Sequence, residues 1–296
     1  MEYLLHLLVM IGIFGALASA ANIDAGYGGV LSFAYAAVFG AGAYVTAYLL
    51  GPQSAPVWLA LPAAVAVGIG ANLVVAAIAS RLVDGDFAVA TLAAHGLFAA
   101  IVANTDLVGG PMGLQIPQGQ VGGLSISSPI VAAAIALALL TFSVAASNKL
   151  ERSSLGRALR VVREDAVLAR SLGIDARACR VGAMAASGAL VGAAGFVFAS
   201  YVQFVHPDSF TTREAVLIVC MAIAGGLGTP WGAVAGAALL VLLPESLRWV
   251  GLPPASEGAM RDILYGSLLA ALVLIRPVGL FGCFVPGAKP HDTTVR

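Results

Sequence analysis

Apolar runs of roughly a span's length follow one another along this chain, separated by short polar breaks. The runs lie at about 4–21, 30–50, 57–79, 87–103, 129–147, 181–203, 214–227, 232–250 and 262–277. A helix needs about 20 mostly apolar residues to cross the bilayer core. Only helices and closed barrels satisfy every backbone polar group in lipid. These runs are continuous and lack the ten-residue alternation of barrel strands, so helices are expected. The pattern predicts an all-α integral membrane protein, a polytopic bundle of about nine transmembrane helices within a range of eight to ten. The seventh run is short and leads into "GGLGTPWG" (225–232), which predicts a broken or re-entrant helix. Gly225, Gly226, Gly228 and Pro230 are therefore the candidate gate or hinge.

One stretch departs from the pattern. Eight of the fifteen basic residues fall between Lys149 and Arg180. On a helix over 155–172, Leu155, Leu159, Val162, Ala166 and Ala169 form one narrow stripe, with Arg157, Arg160 and Glu164 opposite. Ser153 or Ser154 can cap its start, and Gly173 stands where a left-handed residue ends it. Two readings fit this cytoplasmic, two-faced helix. It lies on anionic lipid, or it docks a cytoplasmic protein, for which Glu164 and Asp165 in the basic face and the stop at Gly173 speak. Lys and Arg concentrate on the cytoplasmic side. The loop 148–180, Arg81 and the tail with Lys289 and Arg296 are thus expected inside. The N-terminus, 51–57 and "HPDSFTTR" (206–213) are expected outside.

Composition sharpens this picture. Charged residues make up 10 % of the chain, against about 25 % in soluble domains. Thirty-five glycines suit closely approaching helices. The formal net charge of zero gives no reason to expect nucleic acid, and Cys179, Cys220 and Cys283 show neither metal spacing nor a disulfide framework. "ALASA" (16–20) resembles a cleavage site, but Glu2 and the lack of Lys or Arg at the start predict a retained first helix. A single transmembrane domain over 1–280, holding the loop 148–180, is followed by a tail at 281–296. A faint echo between "GYGGVLSFAYAAVFGAGAY" and "GGLGTPWGAVAGAAL" is compatible with duplication, and glycine-rich packing also accounts for it.

Ionisable residues deep in spans are functional candidates by default. His95 and Asn72 lie within spans, where a packing role is expected of each. Asp24, Asp86, Asp106, Glu214, Glu245 and Asp262 are placed near span ends, where solvation is cheap. No phosphate-cradling "GxxxxGK[ST]" motif occurs, so any ATPase driving transport is another polypeptide.

Four blocks carry a resemblance. They are "GYGGVLSFAYAAVFGAGAY" (26–44), "GDFAVATLA…ANTDLVGGPMGL" (85–114), "SSLGRALRVVREDAVLARSLGID" (153–175) and "HPDSFTTREAVLIVCMAIAGGLGTPWGAVAGAALLVLLPESLR" (206–248). In this order and spacing the chain resembles the permease subunits of branched-chain amino-acid ABC importers, specifically the M-type subunit. The resemblance implies a coupling helix seated in a groove of a cytoplasmic ATPase, with Arg163, Glu164, Asp165, Ala169, Leu172 and Gly173 on its motif. Ala166 and Leu168 stand where the family usually has Glu and Ala. Val30, Ala34 and Tyr35 stand where Gln, Gly and His are common, so urea, amides or other amino acids join branched-chain ones as implied solutes. Ser32, Tyr35, Thr91 and His95 are the candidates for lining the path.

Implied partners are a homologous permease subunit, two ATPase subunits, a periplasmic solute-binding protein and the bilayer of a bacterial inner membrane. No cofactor or metal is expected on this chain itself; ATP and Mg belong to the partners. The alternative is a secondary transporter or channel independent of ATPases, against which stands the missing ion-coupling acid at mid-membrane. An enzyme would need clustered acids or histidines at a membrane face, and none is seen.

Overall fold

The helices follow the apolar runs closely. The computed structural model describes residues 2–79, 84–116, 128–248, 260, 263–267, 270 and 279–281. Arg81, Asp262, Cys283, the tail beyond Phe281 and most of the ninth run lie outside the described residues. The helices are α1 (Glu2–Ala21), α2 (Tyr35–Leu50), α3 (Val57–Ala79), α4 (Asp84–Asn104), α5 (Pro129–Arg152), α6 (Ser154–Glu164), α7 (Ala166–Ser171), α8 (Ala176–Val202), α9 (Thr212–Gly225) and α10 (Pro230–Arg248). Among the described residues five are long and apolar enough to span a membrane, and α2 and α10 supply shorter apolar helices. The protein is an all-α, multi-pass membrane protein.

α8 is the central element. Its Gly188 and Gly192, four residues apart, face α3, where a methyl on Gly188 would sit 2.6 Å from the carbonyl oxygen of Gly68. Gly195 meets the backbone of α2 between Phe39 and Ala43 just as closely. In lipid such contacts substitute for the hydrophobic effect, because dispersion rises steeply as backbones approach. Toward the end of α8, Phe39, Phe198 and Phe210 form a closed triangle with ring centroids 5.1, 5.2 and 5.8 Å apart, a spacing suited to edge-to-face contact. There a short antiparallel pair, β1 (Leu114–Gln115) on β2 (Phe204–Val205), ties the segment after α4 to the end of α8.

α9 and α10 form an antiparallel hairpin. Gly225 abuts Gly232, and Met221 abuts Gly236. The turn is made by Gly226 and Gly228, at φ +111° and +87°, a region open to glycine at no steric cost. The fourteen residues of α9 measure about 21 Å at 1.5 Å per residue, short of the roughly 30 Å core.

Three expectations need correction. The second helix starts at Tyr35 and not at 30, because Gly28–Ala34 form an irregular segment with Gly29 at φ +68°. The first helix does not stop at 21. It continues through a π-helical turn, Asn22–Tyr27, in which every residue is buried. Asp24 is therefore not at a solvated end: it is 1 % exposed. The loop helix expected over 155–172 is two helices, because Asp165 is extended (φ −153°, ψ 105°).

Candidate functional site

The basic segment folds into a two-helix knob at one end of the bundle. Ser153 starts α6 by accepting from the amide of Gly156 at 3.2 Å. Asp165 starts α7 by accepting from the amides of Val167 and Leu168 at 2.7 and 3.0 Å. These bonds from Leu168 and Val167 hold its carboxyl below the usual aspartate value. Gly173 ends the knob at φ +78°. Asp175 then accepts from Arg177 and Ala178 and opens α8. Leu159, Val162 and Ala169 are buried, so these members of the expected apolar stripe face the bundle. Ala166 is half-buried. A second apolar set points away. Val167, Leu168 and Leu172 are 73, 53 and 64 % exposed, with Glu164, Asp165, Arg170 and Gly173 exposed around them.

The arginines of α6 have a structural task that neither lipid adsorption nor docking requires. Arg157 donates to the carbonyl of Arg152 at 2.8 Å, and Arg160 to that of Glu151 at 2.9 Å. Both carbonyls end α5, where helix carbonyls lack intrahelical partners and the dipole favours cations. Arg163 does the same for the first helix, donating to the carbonyl of Gly26. Burial lowers its pKa from the ordinary arginine value. Of the six residues singled out on the coupling motif, Arg163 and Ala169 thus face the bundle, while Glu164, Asp165, Leu172 and Gly173 face outward.

The π-turn that Arg163 reaches gathers further contacts. The amide of Asn22 donates to the carbonyl of Thr229 at 3.2 Å and accepts from the backbone N–H of Gly228 at 2.8 Å. The Oδ2 of Asp24 accepts from Tyr35 at 3.1 Å and from Ser187 at 2.6 Å. Asn72 donates to Ser187 at 2.9 Å and to the carbonyl of Met184 at 2.7 Å. Tyr27 and Ser147 share a 3.3 Å bond. Asn22, Asp24 and Gly26 were not among the expected site residues. Two polar side chains at the edge of a long apolar run were the available signal.

The candidate gate residues sit at the α9–α10 turn. Gly225 closes α9 and accepts from the amide of Phe281 at 2.9 Å, while Pro230 opens α10. The path-lining candidates are all buried within this subunit. Ser32 accepts from the amide of Ala34, Thr91 accepts from the amide of Phe33 at 2.9 Å, and Tyr35 donates to Asp24. His95 lies within α4, its Nδ1 without a hydrogen bond among the described residues. A cavity of about 210 Å³ opens above α7, between Phe87, Ala166, Arg170 and Met184. At the opposite face a pocket of about 380 Å³ lies between α1, α9 and α10, walled by Leu7, Met10, Leu217 and Leu240 with Arg213 and Glu245 at its polar side.

Residues 3–274 match the family described as branched-chain amino acid transport system, permease component. The chain belongs to this permease family. It is 29 % identical to the high-affinity branched-chain amino acid transport system permease protein LivM of Escherichia coli K12, over 90 % of this chain and 67 % of that one. Identity and coverage are the same for the LivM of Salmonella typhimurium LT2. The autoinducer 2 import system permease protein LsrC of E. coli SMS-3-5 is 28 % identical over 50 % of this chain and 44 % of its own. No solved structure matches. These relatives are transport permeases and not enzymes. In this permease the two-helix knob and the π-turn lie side by side, joined by Arg163.

Proposed function

We propose that this chain is the permease subunit of an ATP-driven importer, and that the knob of α6 and α7 is its handle for a separate ATPase. The observation carrying this reading is the outward set Val167, Leu168 and Leu172, ringed by Glu164, Asp165 and Arg170. An apolar tip fits a groove and surrounding charges set its register, the helix-in-groove mode. Three arginines of α6 that would suit a lipid surface, Arg157, Arg160 and Arg163, are engaged instead with helix ends. In this reading a bacterial inner membrane holds about nine spans, with the knob in the cytoplasm and the N-terminus outside. The whole of 1–280 acts as one permease domain.

The partners are a homologous permease subunit, two ATPase subunits that carry ATP and Mg, and a periplasmic solute-binding protein. ATP binding draws the ATPases together and moves the knob. The bundle then shifts between inward and outward packings, an equilibrium biased by ligand. Gly225, Gly226, Gly228 and Pro230 form the hinge. The LivM relatives favour branched-chain amino acids as solute. Tyr35 is committed to Asp24 inside the subunit, so discrimination rests more with the binding protein than with that side chain. Reconstitution in liposomes tests the scheme: leucine uptake requires every partner and ATP. Uptake by this chain alone, driven by a proton or sodium gradient, contradicts it and favours a secondary transporter.

A further inference from the structure

The π-turn Asn22–Tyr27 touches two elements that an importer must move together, within six residues of chain. At its end, the carbonyl of Gly26 accepts from Arg163 on α6, and the α-carbon of Gly29 leaves room only for the Arg163 stem. At its start, Asn22 binds the α9–α10 turn through both halves of its amide. Gly26 itself is pressed against that turn, since a methyl on it would lie 2.6 Å from the nitrogen of Gly228. A π-turn carries one residue more per loop than an α-helix and closes it with an i→i+5 bond, here the 3.2 Å bond from Gly28 to Ile23. Such turns are rare in helices and recur at functional sites, and rewinding one to α-helix shifts the residues on either side. Between its two ends, Asp24 is fastened to α2 and α8 through Tyr35 and Ser187. These two bonds tie the middle of the turn to the rest of the bundle.

We propose that this π-turn is the relay between the knob and the α9–α10 hinge, with Arg163 and Asn22 as positioning residues at its two ends. The inference rests on the permease reading above and adds to it the route by which the knob acts. Rotation of α6 shifts the Arg163 guanidinium, rewinding the turn moves Asn22, and Asn22 carries Gly228 and Thr229 with it.

The test uses the complete transporter, with its ATPase subunits and binding protein, in liposomes. The readout is ATP hydrolysed per solute imported, which a merely structural defect leaves unchanged while lowering the yield of complex. Arg163→Met and Asn22→Ala are each expected to keep the ATPase subunits bound and to lower uptake per ATP. The expected loss is roughly 5- to 150-fold, the range of ordinary coupling free energies. Arg163→Lys, which retains a cationic donor, restores most of it. The double variant loses no more than the worse single one, because both break one chain of contacts. Wild-type uptake per ATP in either single variant, or losses that multiply in the double, overturns the relay. Hydrogen exchange on the unmodified complex decides independently of whether the variants fold. On adding a non-hydrolysable ATP analogue, protection at 22–27 and at 226–229 changes together; a change at 226–229 with 22–27 unmoved overturns the proposal. If the wild-type complex itself imports without ATP, the permease reading fails. If it works as expected and the variants do too, only the relay fails.

Discussion

Ser187 on α8 donates a 2.6 Å hydrogen bond to Oδ2 of Asp24 in the π-turn, deep inside the subunit. The pair joins the first span to the central helix. Tyr35 shares the same oxygen. In Asp24→Leu the buried Tyr35 hydroxyl loses its acceptor, at a cost of about 1–3 kcal/mol. Asp24→Asn keeps a carbonyl oxygen for it and loses less. Thermal unfolding of the detergent-solubilised protein checks this, with Asp24→Leu below Asp24→Asn and both below wild type.

The α3–α8 crossing makes a sharper contrast among glycines. Gly188→Leu drives a side chain into the Gly68 carbonyl and the Asn72 side chain, an overpacking of the kind that costs about 1–3 kcal/mol or more. Gly70, on the same α3, has nothing within 4 Å of a built methyl, and Gly70→Ala gains up to about 1 kcal/mol of helix propensity. Expression and melting temperature fall in the first variant and hold or rise in the second.

Asp165 separates α6 from α7 and caps the latter, and its pKa is lowered from 3.8 by the amides of Leu168 and Val167. A depressed carboxyl stabilises the folded knob at pH values above its unfolded pKa, and the contribution is lost as pH falls through the lower folded value. The cap therefore holds unchanged through the neutral range and loosens only in strong acid. Amide exchange at Val167 and Leu168 reports it. Exchange rises in Asp165→Ala at every neutral pH and stays near wild type in Asp165→Asn, since asparagine also caps.

The outward tip of the knob gives a fourth expectation. On the proposed docking, Leu168→Asp puts a charge on the exposed apolar tip, and Glu164→Arg with Asp165→Arg reverses the charges around it. Both variants lower co-purification of the ATPase subunits from membranes, and Leu168→Asp does so without loss of the folded permease because Leu168 is exposed here. Unchanged co-purification in both counts against docking at this surface.

Span positions were legible because hydrophobic length is a one-dimensional signal: α3 matches the run 57–79 end for end. The start of α2 was not, since Val30, Leu31 and Phe33 are as apolar as a helix and only the backbone at Gly29 shows the irregular entry. The stripe Leu155–Ala169 correctly marked a buried face, with Leu159, Val162 and Ala169 inside, yet its spacing ran on across Asp165. An N-cap residue in mid-pattern was the missed sign of a second helix. Asp24 was misplaced because a polar residue beyond an apolar run looks solvated. Its partners Tyr35 and Ser187 lie 11 and 163 residues away, a tertiary relation no local pattern contains. For the same reason the arginines of α6 read as a charged face, when Arg157, Arg160 and Arg163 each finish another helix.

The handle is tested most directly by a photo-reactive residue placed at Leu172, which is exposed at the end of the knob, and irradiated in native membranes. The account predicts a covalent adduct with the cytoplasmic ATPase whose yield changes on adding ATP. Adducts with lipid alone, indifferent to nucleotide, would contradict it.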